Sequence, residues 1–220
     1  MVTRRKSRPS AHPRATTLLL VRHGQTPTTG RVLPGRAPGL HLAPEGVAQA
    51  ERAAERIAEL GKVDAIYASP LERTRETAAP IARALGLRVE RDKGLLECDF
   101  GDWTGAELAK LAKLPEWSIV QRAPGSFRFP GGESFVEMQA RMVGALARIA
   151  ALHPGGTVVC VSHADPIKAA VAHYLGTHID LFQRIVISPC SVTVVAAGPA
   201  TPVVLTVNST GGGLAALRPS

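Results

Sequence analysis

Two histidines each close a short apolar run. In LLLVRHGQTPTT, residues 18–29, the run Leu18–Val21 stops at Arg22, His23 and Gly24; in TVVCVSHADPIK, residues 157–168, the run ends at Ser162, His163, Ala164 and Asp165. An imidazole attacks phosphorus only through a neutral ring nitrogen, and neighbouring arginines favour that form near neutral pH. Arg22 supplies one such charge, and Arg73 in ASPLERTRETA (residues 68–78) supplies a second. Guanidinium groups recognise phosphate bidentately. These residue types suit phosphoryl transfer with His23 as nucleophile and His163 as a hydrogen-bond partner of the phosphoryl oxygens. The departing alkoxide needs a proton, and LLECDFGDWTG, residues 95–105, offers Glu97, Asp99 and Asp102.

Such groups must be positioned. Four apolar residues flanked by polar ones read as a buried strand, and ligands bind at the carboxyl edge of open α/β sheets. If the strands before His23 and His163 are parallel neighbours, about 4.8 Å apart, both imidazoles leave the same edge. Gly24 would let the backbone approach a ligand closely. Arg73 falls in the first turn of a helix, where N–H groups and the dipole favour anions.

The remaining pattern supports this frame. Pro44–Leu60 reads as a helix stopped by Gly61, and Val63–Ala68 as a strand. Ser69-Pro70-Leu71-Glu72 has the form of a capping box with proline at the first helical position. That helix runs to Leu85 before Gly86, with a kink expected at Pro80, and a short strand follows at Leu87–Glu90. Trp103–Leu114 suggests a helix and Pro115–Gly132 an irregular excursion. In Glu133–Leu152, Met138 and Met142 share a helix face with Phe135, Leu146 and Ile149, so the methionines read as core. Strands near Ser191–Ala196 and Pro202–Val207 close the pattern. Alternating strands and helices predict an α/β fold, a three-layer sandwich with a mostly parallel central sheet flanked by helices.

Of the net charge of +8, residues 1–17 carry five basic residues and no acid. The high pI therefore belongs mostly to this end, and residues 1–16 read as a disordered basic tail ahead of a single domain, residues 17–220. No nucleic-acid partner is expected from so short a basic run, no membrane partner without an apolar run of transmembrane length, and homo-oligomerisation stays open. Three cysteines, Cys98, Cys160 and Cys190, show no CxxC spacing. They argue for a reducing, cytoplasmic setting rather than a disulfide scaffold.

The chain resembles the histidine phosphatase, or phosphoglycerate mutase-like, superfamily over residues 18–208. VRHGQT resembles the signature around the nucleophile, and ASPLERTRETA the segment S-x-L-x-R-(A/T)-x-x-T. LLECDFGDWTG resembles the loop of the general acid, VSHADPIK the second-histidine motif, and FPGGES, residues 129–134, an element of the phosphatase-like branches. The resemblance implies a phosphohistidine on His23, a clamp from Arg22, Arg73 and His163, and Glu97 as general acid/base. It adds Gly24, Gln25, Thr29 and Ala164 as substrate-binding positions, and implies no cofactor and no metal. Thr29 stands where many relatives carry asparagine, Ala164 where they carry glycine, and Ala43 where a threonine often caps the first helix.

The expected activity is hydrolysis of a small phosphorylated metabolite. A phosphomutase of the cofactor-dependent phosphoglycerate mutase type is the alternative. Those mutases resemble one another in a longer segment between acid and second histidine, whereas Glu97 and His163 lie 66 positions apart. They also follow the acid with Arg-His-Tyr-Gly, where this chain has Cys98-Asp99-Phe100-Gly101. Arg31, Arg36 and Arg128 are expected at the mouth. A metal site built from His163, Asp165, His23 and Glu97 is disfavoured because Arg22 and Arg73 would duplicate the metal's charge. A cysteine phosphatase is excluded, since the sixth residues after the three cysteines are Thr104, Pro166 and Ala196. No P-loop motif occurs. A non-catalytic phospho-ligand-binding module is the third reading, because fold alone does not decide activity.

Overall fold

The computed structural model describes residues 15–198 and 201–211, so the basic segment read as a disordered tail lies, but for its last two residues, outside the described residues. The strands β1 (Thr16–Arg22), β2 (Ala65–Ala68), β3 (Val89–Arg91), β4 (Thr157–Ser162), β5 (Val192–Ala197) and β6 (Val203–Ser209) form one sheet. Their order is β3-β2-β4-β1-β5-β6. The first four are mutually parallel, while β5 runs antiparallel to β1 and β6 antiparallel to β5.

Helices α1 (Pro44–Ala58), α2 (Glu72–Leu85), α5 (Phe135–Leu152) and α6 (Ala164–Tyr174) cover the sheet; α3 (Leu108–Leu111) and α4 (Pro115–Arg122) lie in the connection between β3 and β4. Alternation in β1 sorts the two faces. Leu18 and Leu20 pack with Met142, Leu146, Ile149, Ile167 and Val171 from α5 and α6. Leu19 and Val21 pack with Ala54, Ile57, Ala78 and Ile81 from α1 and α2. The expected three-layer sandwich is thus present, with Met138 and Met142 fully buried as core. The three cysteines are buried and unbridged.

Local boundaries differ in instructive ways. β1 begins at Thr16, whose hydroxyl bonds the Ala150 and His153 carbonyls and ties the strand to the end of α5. The helix read over Trp103–Leu114 shrinks to α3, with Trp103 in a 3₁₀ turn. The segment read as irregular contains α4, because Pro115 sits in the first turn, where its missing N–H costs nothing. α2 continues through Pro80. As expected, Ala43 gives α1 no side-chain cap.

The capping box read at Ser69 does not form: Leu71 is the N-cap of α2 and no side chain caps it. A capping box does form at α5, between Ser134 and Glu137. Behind the acid loop, Phe100, Phe127, Phe129, Phe135 and Phe182 make a third buried cluster that braces residues 97–103 against α5.

Candidate active site

The β1–β4 register pairs Arg22 with Ser162, so His23 and His163 follow one another out of adjacent parallel strands. The His23 N–H donates to the Ser162 carbonyl at 2.9 Å, and the two imidazoles meet edge to face with centroids 5.2 Å apart. Both are buried.

His23 Nδ1 lies 2.7 Å from the Gly24 carbonyl. A carbonyl only accepts, so Nδ1 carries the proton and the neutral ring presents its lone pair at Nε2. Burial first, then Arg73 and Arg22, hold the imidazole well below its ordinary pKa. The ring is therefore neutral near pH 7, with Nε2 as its unprotonated nitrogen.

Arg22 leaves β1 and donates from Nη1 to the Ile187 carbonyl at 2.6 Å. Arg73, in the first turn of α2, is fully buried and donates from Nη2 to the Gly35 carbonyl at 2.8 Å. Arg22 Nε, Arg73 Nε and Arg73 Nη1 are buried without a protein partner. A buried donor left unpaired costs about 1–3 kcal/mol, so several together mark a place built for an acceptor with many lone pairs.

His163, at the N-cap of α6, has Nε2 2.8 Å from Ser69 Oγ and Nδ1 buried without a hydrogen-bond partner. For Nδ1 to donate to an anion, Nε2 must accept from the Ser69 hydroxyl. Burial, then Arg73 and His23, keep this ring below its ordinary pKa as well.

Of the three acids, only Glu97 reaches the histidine pair, with Oε2 3.9 Å from His163 Nδ1. Its Oε1 accepts the Cys98 N–H at 2.9 Å. Burial, then Asp165, raise it against the pull of Arg73, the Cys98 N–H and Arg22, to about 7. Asp99 instead accepts the Gly101 N–H and pairs with Arg36, and Asp102 is exposed. Two arginines, one carboxyl poised near neutrality and an Asp165 paired with Lys168 leave a positive site, suited to a phosphate dianion.

The other sequence candidates have these contacts. The Gly24 N–H donates to Thr77 Oγ1 at 3.0 Å. A Cβ on Gly24 would meet the Gly46 carbonyl oxygen at 2.5 Å, and one on Gly46 the Gln25 carbonyl oxygen at 2.0 Å. The close approach that demands glycine here is between the turn after β1 and the start of α1. The Gln25 N–H donates to Gln49. Thr29 Oγ1 accepts the Thr26 N–H at 2.9 Å and closes the 26–29 turn. Ala164 opens α6, where its N–H has no partner within the helix.

The arginines expected at the mouth are engaged in the fold. Arg36 contacts Glu97, Asp99 and Glu133; Arg128 contacts Gly132 and Glu137; Arg31 contacts Pro27. Sequence reasoning missed Ser69, Thr77 and the effect of Asp165 on Glu97. Ser69 follows β2, which neighbours β4, so it carried the same strand-end signal as the histidines.

A family model described as the histidine phosphatase superfamily (branch 1) matches residues 18–210. The chain belongs to that superfamily. It is 42% identical over 156 residues to a Mycobacterium tuberculosis protein named a bifunctional protein, covering 70% of this chain and 42% of that one. The chain thus spans less than half of that relative. It is 32% identical over 198 residues to phosphoserine phosphatase 1 of Hydrogenobacter thermophilus, 88% of this chain and 92% of the relative. Identity to a probable phosphoglycerate mutase of Proteus mirabilis is 34% over 178 residues, 79% and 81% of the two chains.

Among solved structures, a mycobacterial glucosyl-3-phosphoglycerate phosphatase complexed with VO3 superposes with a TM-score of 0.79 at 28% identity, covering 88% of this chain and 98% of that one. An Entamoeba histolytica phosphoserine phosphatase in complex with 3-phosphoglyceric acid gives 0.77 at 27%, covering 88% and 97%. Members of this histidine phosphatase superfamily resembling the chain thus include phosphatases of small phosphometabolites and probable mutases. No helix among the described residues is long and apolar enough to cross a membrane.

If the unpaired guanidinium N–H groups receive phosphate, inorganic phosphate should stabilise the fold. At about 100 times Kd the gain is ~2.7 kcal/mol, or roughly 5–10 °C in melting for a chain of this size. Scanning calorimetry with and without phosphate should show this shift in the wild type and its near absence in Arg73→Ala.

Proposed function

We propose that the protein is a phosphatase that hydrolyses a small phosphorylated metabolite through a phosphohistidine on His23. The observation that carries this reading is His23 with Nδ1 held by the Gly24 carbonyl, which leaves Nε2 free for phosphorus, in a site whose buried arginine N–H groups have no protein partner. In the first step Nε2 forms a bond to phosphorus as the ester P–O bond breaks, and the leaving oxygen takes the proton of the Glu97 carboxyl. In the second, Glu97 as carboxylate removes a proton from water, whose oxygen displaces Nε2 and yields inorganic phosphate. Arg22, Arg73 and His163 Nδ1 donate to the three phosphoryl oxygens throughout. The Ala164 N–H at the head of α6 adds to this field, and Gln25 and Thr29, in the turn after β1, are further substrate contacts in this proposal.

Water rather than a second alcohol is the acceptor in this reading. Where a mutase would want arginine and histidine after the acid, Cys98 and Phe100 are buried and Asp99 adds negative charge, already paired with Arg36. The mutase alternative draws on the resemblance to a probable phosphoglycerate mutase. Metal independence is part of the proposal, since the arginines supply the charge a metal would bring.

After dialysis against EDTA, the protein should release phosphate from p-nitrophenyl phosphate and from at least one member of a panel of phosphosugars, phosphoserine and phosphoglycerates. With 3-phosphoglycerate and catalytic 2,3-bisphosphoglycerate, isomer conversion should not outpace phosphate release. Faster isomerisation would make it a mutase, and activity regained only with added metal would overturn metal independence.

A further inference from the structure

We propose that Glu133 is a positioning residue that sets Glu97 for proton transfer, by clamping the backbone on both sides of it between Arg36 and Arg141; this rests on Glu97 being the proton donor. Arg141, on α5, forks Glu133 with Nε and Nη2 each 2.9 Å from a carboxylate oxygen. The same guanidinium donates to the carbonyls of Gly94 at 2.8 Å, Leu96 at 2.9 Å and Glu97 at 3.2 Å. Arg36 donates from Nε to the same Glu97 carbonyl at 2.9 Å, with Nη2 2.8 Å from Glu133. Glu133 Oε2 also accepts the Asp99 N–H at 3.1 Å, and the Glu133 N–H returns to the Asp99 carbonyl at 2.9 Å.

The group that orients the Glu97 carboxyl is the N–H of Cys98, at 2.9 Å. That N–H belongs to the peptide whose carbonyl, on Glu97, takes both arginines, and the next peptide N–H, on Asp99, is held by Glu133 directly. The hook for the carboxyl therefore lies between two points fixed by one carboxylate. Burial works against ionised Glu133, but the Arg141 fork, the Asp99 N–H and Arg36 outweigh it, so the carboxyl sits below its ordinary pKa range. Glu133 is thus an anion when it holds the clamp. Without that charge Arg141 loses its carboxylate partner, Arg36 keeps only Asp99 as a counter-charge, and the 97–99 segment slackens. Displacement of a reacting group by about 1 Å from a remote change can cost roughly 10²-fold.

Glu133→Gln keeps the shape and removes the charge. Its kcat/KM for an alkyl phosphate should fall about 10–100-fold, while that for p-nitrophenyl phosphate, whose leaving group needs little protonation, should fall no more than about threefold on the same grounds. In the Glu97→Gln background the second substitution should add no further alkyl loss, because its effect acts through the missing carboxyl. If Glu133→Gln melts below assay temperature, Arg36→Gln removes one hook from the Glu97 carbonyl and leaves the Glu133–Arg141 fork intact; it should shift the alkyl-to-aryl ratio in the same direction. Equal losses on both substrates in a folded variant, an unchanged ratio, or additive losses in the double variant would overturn the clamp. If Glu97→Gln itself shows no preference between leaving groups, the proton-donor reading falls and the clamp falls with it. A selective Glu97→Gln beside an unselective Glu133→Gln would remove the clamp alone.

Discussion

Replacing His23 with alanine should lower phosphatase kcat/KM by roughly 10⁵–10⁶-fold, the scale seen when a covalent nucleophile is removed. The size follows from the geometry. The Nδ1 bond to the Gly24 carbonyl leaves Nε2 as the unprotonated nitrogen, and among the described residues no second nucleophile stands beside the arginines: His163 has Nε2 on Ser69, and the three cysteines are buried thiols with raised pKa values. The variant should still fold, since the ring bonds only its own neighbour's carbonyl, and a melting scan separates loss of chemistry from loss of structure. A folded variant that keeps a tenth of the activity would show that His23 is not the nucleophile.

Glu97→Gln should lower kcat/KM for alkyl phosphates by ~10²–10⁴-fold, the usual contribution of a positioned acid, and far less for p-nitrophenyl phosphate. The pH dependence has a definite sign. In the proposed mechanism the proton donor is the neutral carboxyl, and burial raises Glu97 to about 7, so donation is available below that pH and lost above it. His23 is lowered well below its ordinary value, so nucleophile protonation should not intrude in the same window. The ratio of alkyl to aryl kcat/KM should therefore be flat below pH 7 and fall above it, approaching tenfold per unit as the carboxyl ionises. In Glu97→Gln the ratio should be low and flat. A wild-type ratio that stays constant to pH 9 would remove Glu97 from the donor role.

The parts of the site that lie at strand ends were legible from the sequence. Leu18–Val21 and Thr157–Val161 are long enough to be buried strands and too short for helices, and a parallel pairing then carries His23 and His163 to one edge. Arg73 was legible from its place in the first turn of α2. What escaped depends on contacts distant in sequence. Ser69-x-x-Glu72 and Ser134-x-x-Glu137 have the same local pattern, yet only the second caps a helix: α2 starts two residues late, with Leu71 as its N-cap, and the Ser69 hydroxyl lies against His163, 94 positions away. The three prolines in 115–132 looked like breakers, but Pro115 starts a helix and the other two lie beyond its end. Arg36 looked like a free cation for the mouth, and only the fold shows it spent on Glu97 and Glu133.

The central claim is a covalent phosphoryl group on His23, and trapping it tests that claim most directly. Glu97→Gln should form the intermediate from p-nitrophenyl phosphate, which needs no proton donor, and hydrolyse it slowly for want of a base. Rapid mixing with ³²P-labelled substrate, an alkaline quench and peptide mapping should find close to one label per chain, stable in alkali, labile in acid, and on His23. Label on a serine, a cysteine or His163, or release of p-nitrophenol with no trapped phosphoryl group, would contradict the account.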